Sequence, residues 1–246
     1  EIYNAYIDGY DIIKLAGNNI VSMSDDVRKI MNNFVAIEII EQTNDKIVAK
    51  NFLNISDVKV NEIIRRIDII IRSMMQDSPE CVDGKSCNPI INRDLDVNRL
   101  CFMLERILRI AMNNPQVSRQ IGLSGTDLLH SWYIVMNLES IGDEVKRISR
   151  FLNNMSFNTR QKNQLRKIYA EIETAYLDVM KSYYKNDKDL AFDVNFRKEK
   201  LHEKCDLFYE KNKNHLPKLS AMVEKMKALT AWIRTIALFV YATRFR

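Results

Sequence analysis

The stretch MNLESIGDEVKRI, residues 136–148, decides the fold because it reads as one amphipathic helix. Apolar residues recur in and around it at a spacing of three and four, namely Val135, Leu138, Ile141, Val145, Ile148 and Leu152. Glu139 and Asp143 lie one turn apart beside this stripe, with Gly142 between them. A mid-helix glycine costs about 1 kcal/mol relative to alanine, and like charges at i and i+4 cost a few tenths more. These three residues therefore indicate a role that outweighs the local cost.

The composition indicates a mostly α-helical protein with a sizeable core. Hydrophobic residues make up 46% of the 246 residues, and 6 Gly and 4 Pro are too few for a turn-rich sheet. The 37 Lys and Arg residues are interspersed with 32 Asp and Glu residues, which gives a formal net charge of +5. This mild excess does not by itself indicate nucleic-acid binding.

Outward from residues 136–148, the same spacing predicts two sets of three helices. Starts near residues 57, 88 and 126 are matched by starts near 158, 187 and 217, so a three-helix unit recurs. We expect Thr126 to cap the third helix and Pro217 to stand at the start of the sixth.

The first part of the chain has a different pattern, which predicts a small α/β connector. YDIIKLAG, ending at Gly17, indicates a strand, and a helix is expected to begin at Ser24 or Asp25. AIEIIEQTNDKIVAKNF indicates two strands around Asn44 and Asp45. The predicted domains are therefore the connector at 1–56, a first three-helix bundle at 57–156 and a second, degenerate bundle at 157–246.

LESIGDEVKRIS at 138–149 resembles the signature of PhoU domains, which reads roughly LERIGD. The recurring three-helix unit is also what PhoU proteins have. The resemblance implies a tandem pair of three-helix bundles and a role in the regulation of phosphate uptake and homeostasis. It further implies that Gly142 packs closely and that Glu139 and Asp143 hold metal ions at the bundle surface.

A second motif supplies a third candidate ligand. IINRDLDVNRL looks like the acidic motif on the second helix of PhoU domains, with Asp94 at one acidic position. Ligation by oxygen alone favours a hard ion such as iron, manganese or magnesium. Asn92 and Asn98 stand where the family has carboxylates, so we expect at most one, partly occupied site in the first bundle. We expect none in the second bundle, where other residues stand in the acidic positions: Phe196, Lys198, His202, Thr230 and Arg234.

The head of the chain resembles archaeal phosphate uptake regulators, in which an AbrB-like DNA-binding module precedes the PhoU domain. The residues that carry this resemblance are YNAYIDGYDIIKL and AIEIIEQTNDKIV. It implies that the module lies upstream of Glu1 and that DNA is reached only through it. The other partners that it implies are the ATPase of a phosphate transporter or a signalling protein.

Location and self-association are predicted from the cysteines and from the last helix. The four cysteines follow no signal peptide, so the reducing cytoplasm is expected. The apolar run at 228–243 is shorter than the ~20 residues of a membrane span and contains Arg234. This helix nevertheless carries more apolar residues than one bundle needs to bury, which predicts a homodimer: Trp232, Ile233, Ile236, Phe239, Val240 and Tyr241.

Three alternatives stay open. The acidic pair can lie on a solvated face, with Lys146, Arg147 and Arg150 at ion-pairing distance along the helix. DLLH at 127–130 and EKLH at 199–202 have the spacing of a carboxylate-bridged di-metal enzyme. The chain can also be a dimerisation scaffold of a transcription regulator. We expect no enzyme, because the sequence holds neither HExxH nor a glycine-rich phosphate loop.

Overall fold

The structure is a computed structural model, and it describes residues 1–214 and 218–243. Short helices and strands form the first part of the chain: α1 (Ile2–Ile7), β1 (Ile12–Ala16), α2 (Ser24–Met31), β2 (Ile37–Gln42) and β3 (Lys46–Asn51). Six long helices and one short one follow: α3 (Val60–Asp77), α4 (Asn88–Asn113), α5 (Pro115–Gln120), α6 (Gly125–Asn154), α7 (Thr159–Lys185), α8 (Lys188–Asn212) and α9 (Leu219–Ala242). The predicted class, a small α/β part followed by helical bundles, is confirmed.

The long helices begin close to the predicted positions, but one predicted cap is wrong. α6 begins at Gly125, and Ser124 caps it instead of Thr126. The Asp127 amide donates to Ser124 Oγ, and the Asp127 carboxylate accepts from the Ser124 amide, so the two residues satisfy each other. Pro217, the predicted start of the last helix, lies outside the described residues.

The chain forms two compact units, one of residues 1–67 and 95–136 and the other of residues 68–94 and 137–246. The predicted domain boundaries, after residues 56 and 156, stay predictions. Within residues 1–214 and 218–243, no helix combines the length and the apolar character needed to cross a membrane.

The first unit contains an antiparallel sheet of order β1-β3-β2. Its register pairs Ile13 with Ala49 and Ile39 with Ala49 on either side of the central strand. One face of this sheet and the helices α1 and α2 share a hydrophobic core that includes Tyr6, Val27, Met31, Phe34 and Ile47. The sequence did not predict α1, whose Tyr6 ring stacks on Phe34 with 4.4 Å between ring centroids.

A buried arginine fastens the end of α1 to α4 within this unit. Arg106 is 1% exposed, and its guanidinium donates to the carbonyl oxygens of Tyr6, Gly9 and Tyr10 at 2.6–3.1 Å. A fourth bond reaches the Asp11 carboxylate at 2.9 Å. Carbonyls at the end of a helix lack the amide partners that they have inside it, so Arg106 supplies donors to the carbonyls that follow α1.

Gly9 makes this close approach feasible. Its φ of 91° lies in the left-handed region, and a Cβ at this position would come within 2.7 Å of the Ile110 side chain. Any other residue would therefore be strained both in its backbone and against α4.

The second unit contains a three-helix bundle in which α7, α8 and α9 pack against one another. A capping box of Asn158 and Gln161 begins α7, and Asp187 caps α8 by accepting from the Leu190 amide. Residues of α3 join this unit through Asp68, which is 2% exposed. Its carboxylate accepts from the Tyr176 hydroxyl of α7 at 2.8 Å and from Arg72 at 2.9 Å. The described cysteines Cys81, Cys87, Cys101 and Cys205 are all buried.

We predict that Arg106→Met lowers the free energy of unfolding by about 4 kcal/mol, because three carbonyls lose a charged donor in a buried place. Urea unfolding followed by circular dichroism measures the change, and hydrogen exchange should locate it in residues 2–11. Arg109→Met is the matched control. Arg109 lies in the same helix and binds Asp8, but both side chains are about half exposed, so its loss should cost under about 1 kcal/mol. Equal effects of the two variants would contradict the anchoring role of Arg106.

Candidate functional site

The predicted acidic residues lie on two helices of the second unit. Asp94 belongs to α4 and is 1% exposed, whereas Glu139 and Asp143 belong to α6 and are half-buried. Gly142 is buried in α6 and has no side chain, so at this position the helix presents only backbone to its surroundings. Burial of Gly142 and partial exposure of its acidic neighbours follow from their positions on and beside the apolar stripe.

Lys146 connects the two aspartates. Its Nζ atom lies 2.6 Å from Asp94 Oδ2 and 2.5 Å from Asp143 Oδ1. The lysine side chain is 15% exposed, so the ammonium group is held mostly out of water. One cation therefore binds two carboxylates from different helices and joins α4 to α6.

Arg147 and Glu144 extend this network towards α9. Arg147 donates to Asp143 Oδ2 and to Glu144 Oε1, each at 2.6 Å. Glu144 is 4% exposed, and Lys225 of α9 also approaches its Oε1 at 3.7 Å. Asp143 therefore forms ion pairs with Lys146 and Arg147 along the helix, as one of the alternatives predicted. These pairs are half-buried, whereas that alternative placed them on a solvated face.

Glu139 differs from its neighbours because no cation contacts it in the part of the chain that the structure describes. Burial raises the pKa of Glu139, and the negative charges of Asp143 and Asp94 raise it further. Burial also raises the pKa of Asp94, against the opposing effect of Lys146. Burial lowers the pKa of Lys146, but its bonds to Asp143 and Asp94 outweigh burial and raise it.

The distances around Lys146 show whether a metal ion could bind the predicted ligands. Hard cations lie about 2.0–2.6 Å from carboxylate oxygens, which is where the Lys146 ammonium lies for both Asp94 and Asp143. A metal bound by both aspartates would therefore have to displace Lys146. Within residues 1–214 and 218–243, no group of three His, Cys, Asp or Glu residues has a metal-binding arrangement. Iron, manganese or magnesium at Asp94, Glu139 and Asp143 stays a prediction.

The residues of the two carboxylate-x-x-His motifs have local partners. Asp127 is bound to Ser124 in the cap of α6. His202 Nε2 lies 2.8 Å from Thr230 Oγ1, and Arg234 donates to Asn195 at 2.8 Å. Thr230, Arg234 and His202, which the resemblance had aligned with acidic positions, are thus engaged in hydrogen bonds between α8 and α9.

Sequence reasoning named Lys146 and Arg147 only as neighbours along the helix, and it missed Glu144. The link from Lys146 to Asp94 spans two helices, so no spacing within one helix reveals it. Glu144 was detectable, because it follows Ile141 by three residues and precedes Ile148 by four and so falls on the buried stripe.

Fold and site together define a helical-bundle protein with a buried network of carboxylates and cations between its helices. Residues 64–152 match the family model of the PhoU domain. The match contains Asp94, Glu139 and Asp143, and it confirms the resemblance seen at 138–149. No curated protein and no solved structure matches the chain.

We predict that Lys146→Met lowers the free energy of unfolding by about 3 kcal/mol, because it leaves Asp94 buried without its cation. Thermal and urea unfolding measure the loss. Arg150→Met, in the same helix but exposed, is the matched control and should change stability by less than about 0.5 kcal/mol. Added Mn²⁺ should restore part of the stability of Lys146→Met by replacing the lost charge. A fully stable Lys146→Met protein in the absence of metal would contradict the role given to Lys146.

Glu139→Gln and Asp143→Asn should have opposite effects at pH 7. The folded state holds a proton on Glu139 more tightly than the unfolded state, so the ionised carboxylate destabilises the fold and Glu139→Gln should add roughly 0.5 kcal/mol. This gain should vanish as pH falls below 4.5, the ordinary pKa of the group. Asp143→Asn should cost about 1–3 kcal/mol through its lost ion pairs. Chemical unfolding at pH 4 and pH 7 compares them, and a loss of both stability and bound metal in Glu139→Gln would support metal ligation instead.

Proposed function

We propose that the protein is a non-enzymatic regulator of phosphate uptake and homeostasis. The observation that carries this proposal is the PhoU match over residues 64–152, since that domain suggests a role in regulating phosphate homeostasis. The site supports a regulatory rather than a catalytic role. Asp94 and Asp143 are engaged by Lys146, and Arg147 engages Glu144, so these groups act as structural ion pairs and not as acids or bases.

The proposal extends to partners. Following the resemblance, the regulator acts on the ATPase of a phosphate transporter or on a signalling protein, and it functions as a homodimer in the cytoplasm. Exposed aromatic side chains on α9, Trp232 at 38% and Tyr241 at 49%, support self-association. DNA binding, in this proposal, belongs to an AbrB-like module and not to residues 1–246, whose net charge of +5 gives few uncompensated phosphate contacts.

Disruption of the gene in its host tests the function. We predict that the dependence of phosphate uptake on external phosphate is then lost, because the component that relates transport to supply is missing. Uptake of radiolabelled phosphate in phosphate-rich and phosphate-poor media measures this dependence. A plasmid carrying the parent gene should restore it, whereas an empty plasmid should not. Unchanged regulation in the disrupted strain would refute the proposal.

A further inference from the structure

A groove runs between α7 and α8 on the surface of their three-helix bundle. Its deepest part has a volume of about 270 Å³ and is lined by an apolar floor and a basic rim. Ile168, Leu207 and Phe208 form the floor, and Lys167, Lys204 and Lys211 form the rim. The groove lies outside the PhoU match at 64–152.

One apolar residue of the floor, Leu207, is left exposed by the bundle. Ile168 and Phe208 are buried in the bundle core, but Leu207 is 57% exposed beside them. Leu207 and Phe208 follow Lys204 by about one turn of α8, and Lys211 lies one turn further on. Basic and apolar residues therefore alternate along one face of α8 that borders the groove.

The rim has an excess of positive charge. Lys167 and Lys211 are exposed and have no ion-pair partner among the residues that the structure describes. Lys204 lies 2.5 Å from Glu171 across the groove. Glu171 also lines a second depression of about 260 Å³, where Lys200 adds positive charge and Arg197 is paired with Asp178 at 2.6 Å. Glu171 thus occupies the middle of an otherwise basic groove.

The dimensions of the groove fit an α-helix. From Arg197 to Lys211 it follows α8 for about 21 Å at 1.5 Å per residue, which corresponds to about four turns. A helix packs well in the depression between two neighbouring helices, and here it would complete a four-helix arrangement with α7, α8 and α9. A lipid bilayer fits less well, because a membrane surface needs protruding rather than recessed apolar side chains.

We propose that this groove binds an amphipathic helix of another protein, one with an apolar stripe flanked by Asp and Glu residues. The apolar stripe covers Leu207, and the acidic flanks bind Lys167 and Lys211. Glu171 competes with the incoming carboxylates for Lys204, so the bound helix takes over an ion pair that the protein satisfies internally when alone. The inference does not depend on the phosphate role, because it rests on the shape and charge of α7 and α8.

The test uses a synthetic helical peptide of about 18 residues with Leu at positions i, i+3, i+4 and i+7 and Glu on both flanks. Fluorescence anisotropy in phosphate-free buffer should give a dissociation constant on the order of 50 µM. Lys167→Glu/Lys211→Glu should weaken binding at least about tenfold, whereas Glu171→Gln should tighten it about threefold. Lys181→Glu/Lys185→Glu, exposed on α7 outside the groove, is the matched control and should bind as the parent does.

Three outcomes would overturn the proposal. The first is equal binding of a scrambled peptide of the same composition, and the second is unchanged binding by Lys167→Glu/Lys211→Glu with its fold verified by circular dichroism. The third is light scattering that shows a dimer of the parent which this double variant converts to a monomer, since a second copy of the chain would then cover the groove. Because the assay contains neither phosphate nor a transporter, its failure leaves the phosphate role to its own experiment in the host.

Discussion

The ammonium of Lys146 between Asp94 and Asp143 is the contact on which the packing of α4 against α6 depends. Both helices carry acidic side chains where they meet, and a carboxylate taken out of water destabilises a fold unless a partner compensates it. Lys146 supplies this compensation for two carboxylates, and Arg147 supplies it for Asp143 and Glu144. Gly142, in the same turn of α6, is buried.

A buried charge is also compensated by its surroundings in the first unit, where the charge is positive. Arg106 is buried there, and three backbone carbonyls and Asp11 surround its guanidinium. Asp68 in the second unit is buried among two tyrosine hydroxyls and Arg72. Each of these buried charges binds groups from a different part of the chain. Such buried charges specify which helices and strands pack together, and apolar contacts alone would define that packing less sharply.

The periodic features of the chain were predictable, and the contacts between distant residues were not. The long helices begin at or within a few residues of their predicted starts. These starts were predictable because the 3.6-residue period and the caps are local signals. Thr126 was predicted as the cap of α6, and the structure places Ser124 there; both residue types are good N-caps, and the Ser124 bonds with Asp127 identify the actual one. α1 was missed since its six residues are held by Arg106, about a hundred positions away in sequence.

For the site, the acidic residues were found from their motif, but the pairing of Lys146 with Asp94 arises only when α4 and α6 pack.

The distribution of compensated charge separates two roles along the chain. In the residues that match the PhoU domain, Asp94, Asp143 and Glu144 all have cationic partners, whereas Glu139 has none among the described residues. On α7 and α8, Lys204 is paired with Glu171, but Lys167 and Lys211 line the same groove without an ion pair among the described residues. A surface whose charges are already paired has to break bonds within the protein before it binds, whereas an unpaired basic rim gains Coulomb energy directly. The proposed recognition surface on α7 and α8 therefore differs from the acidic motif, where Asp94 and Asp143 are already engaged by Lys146.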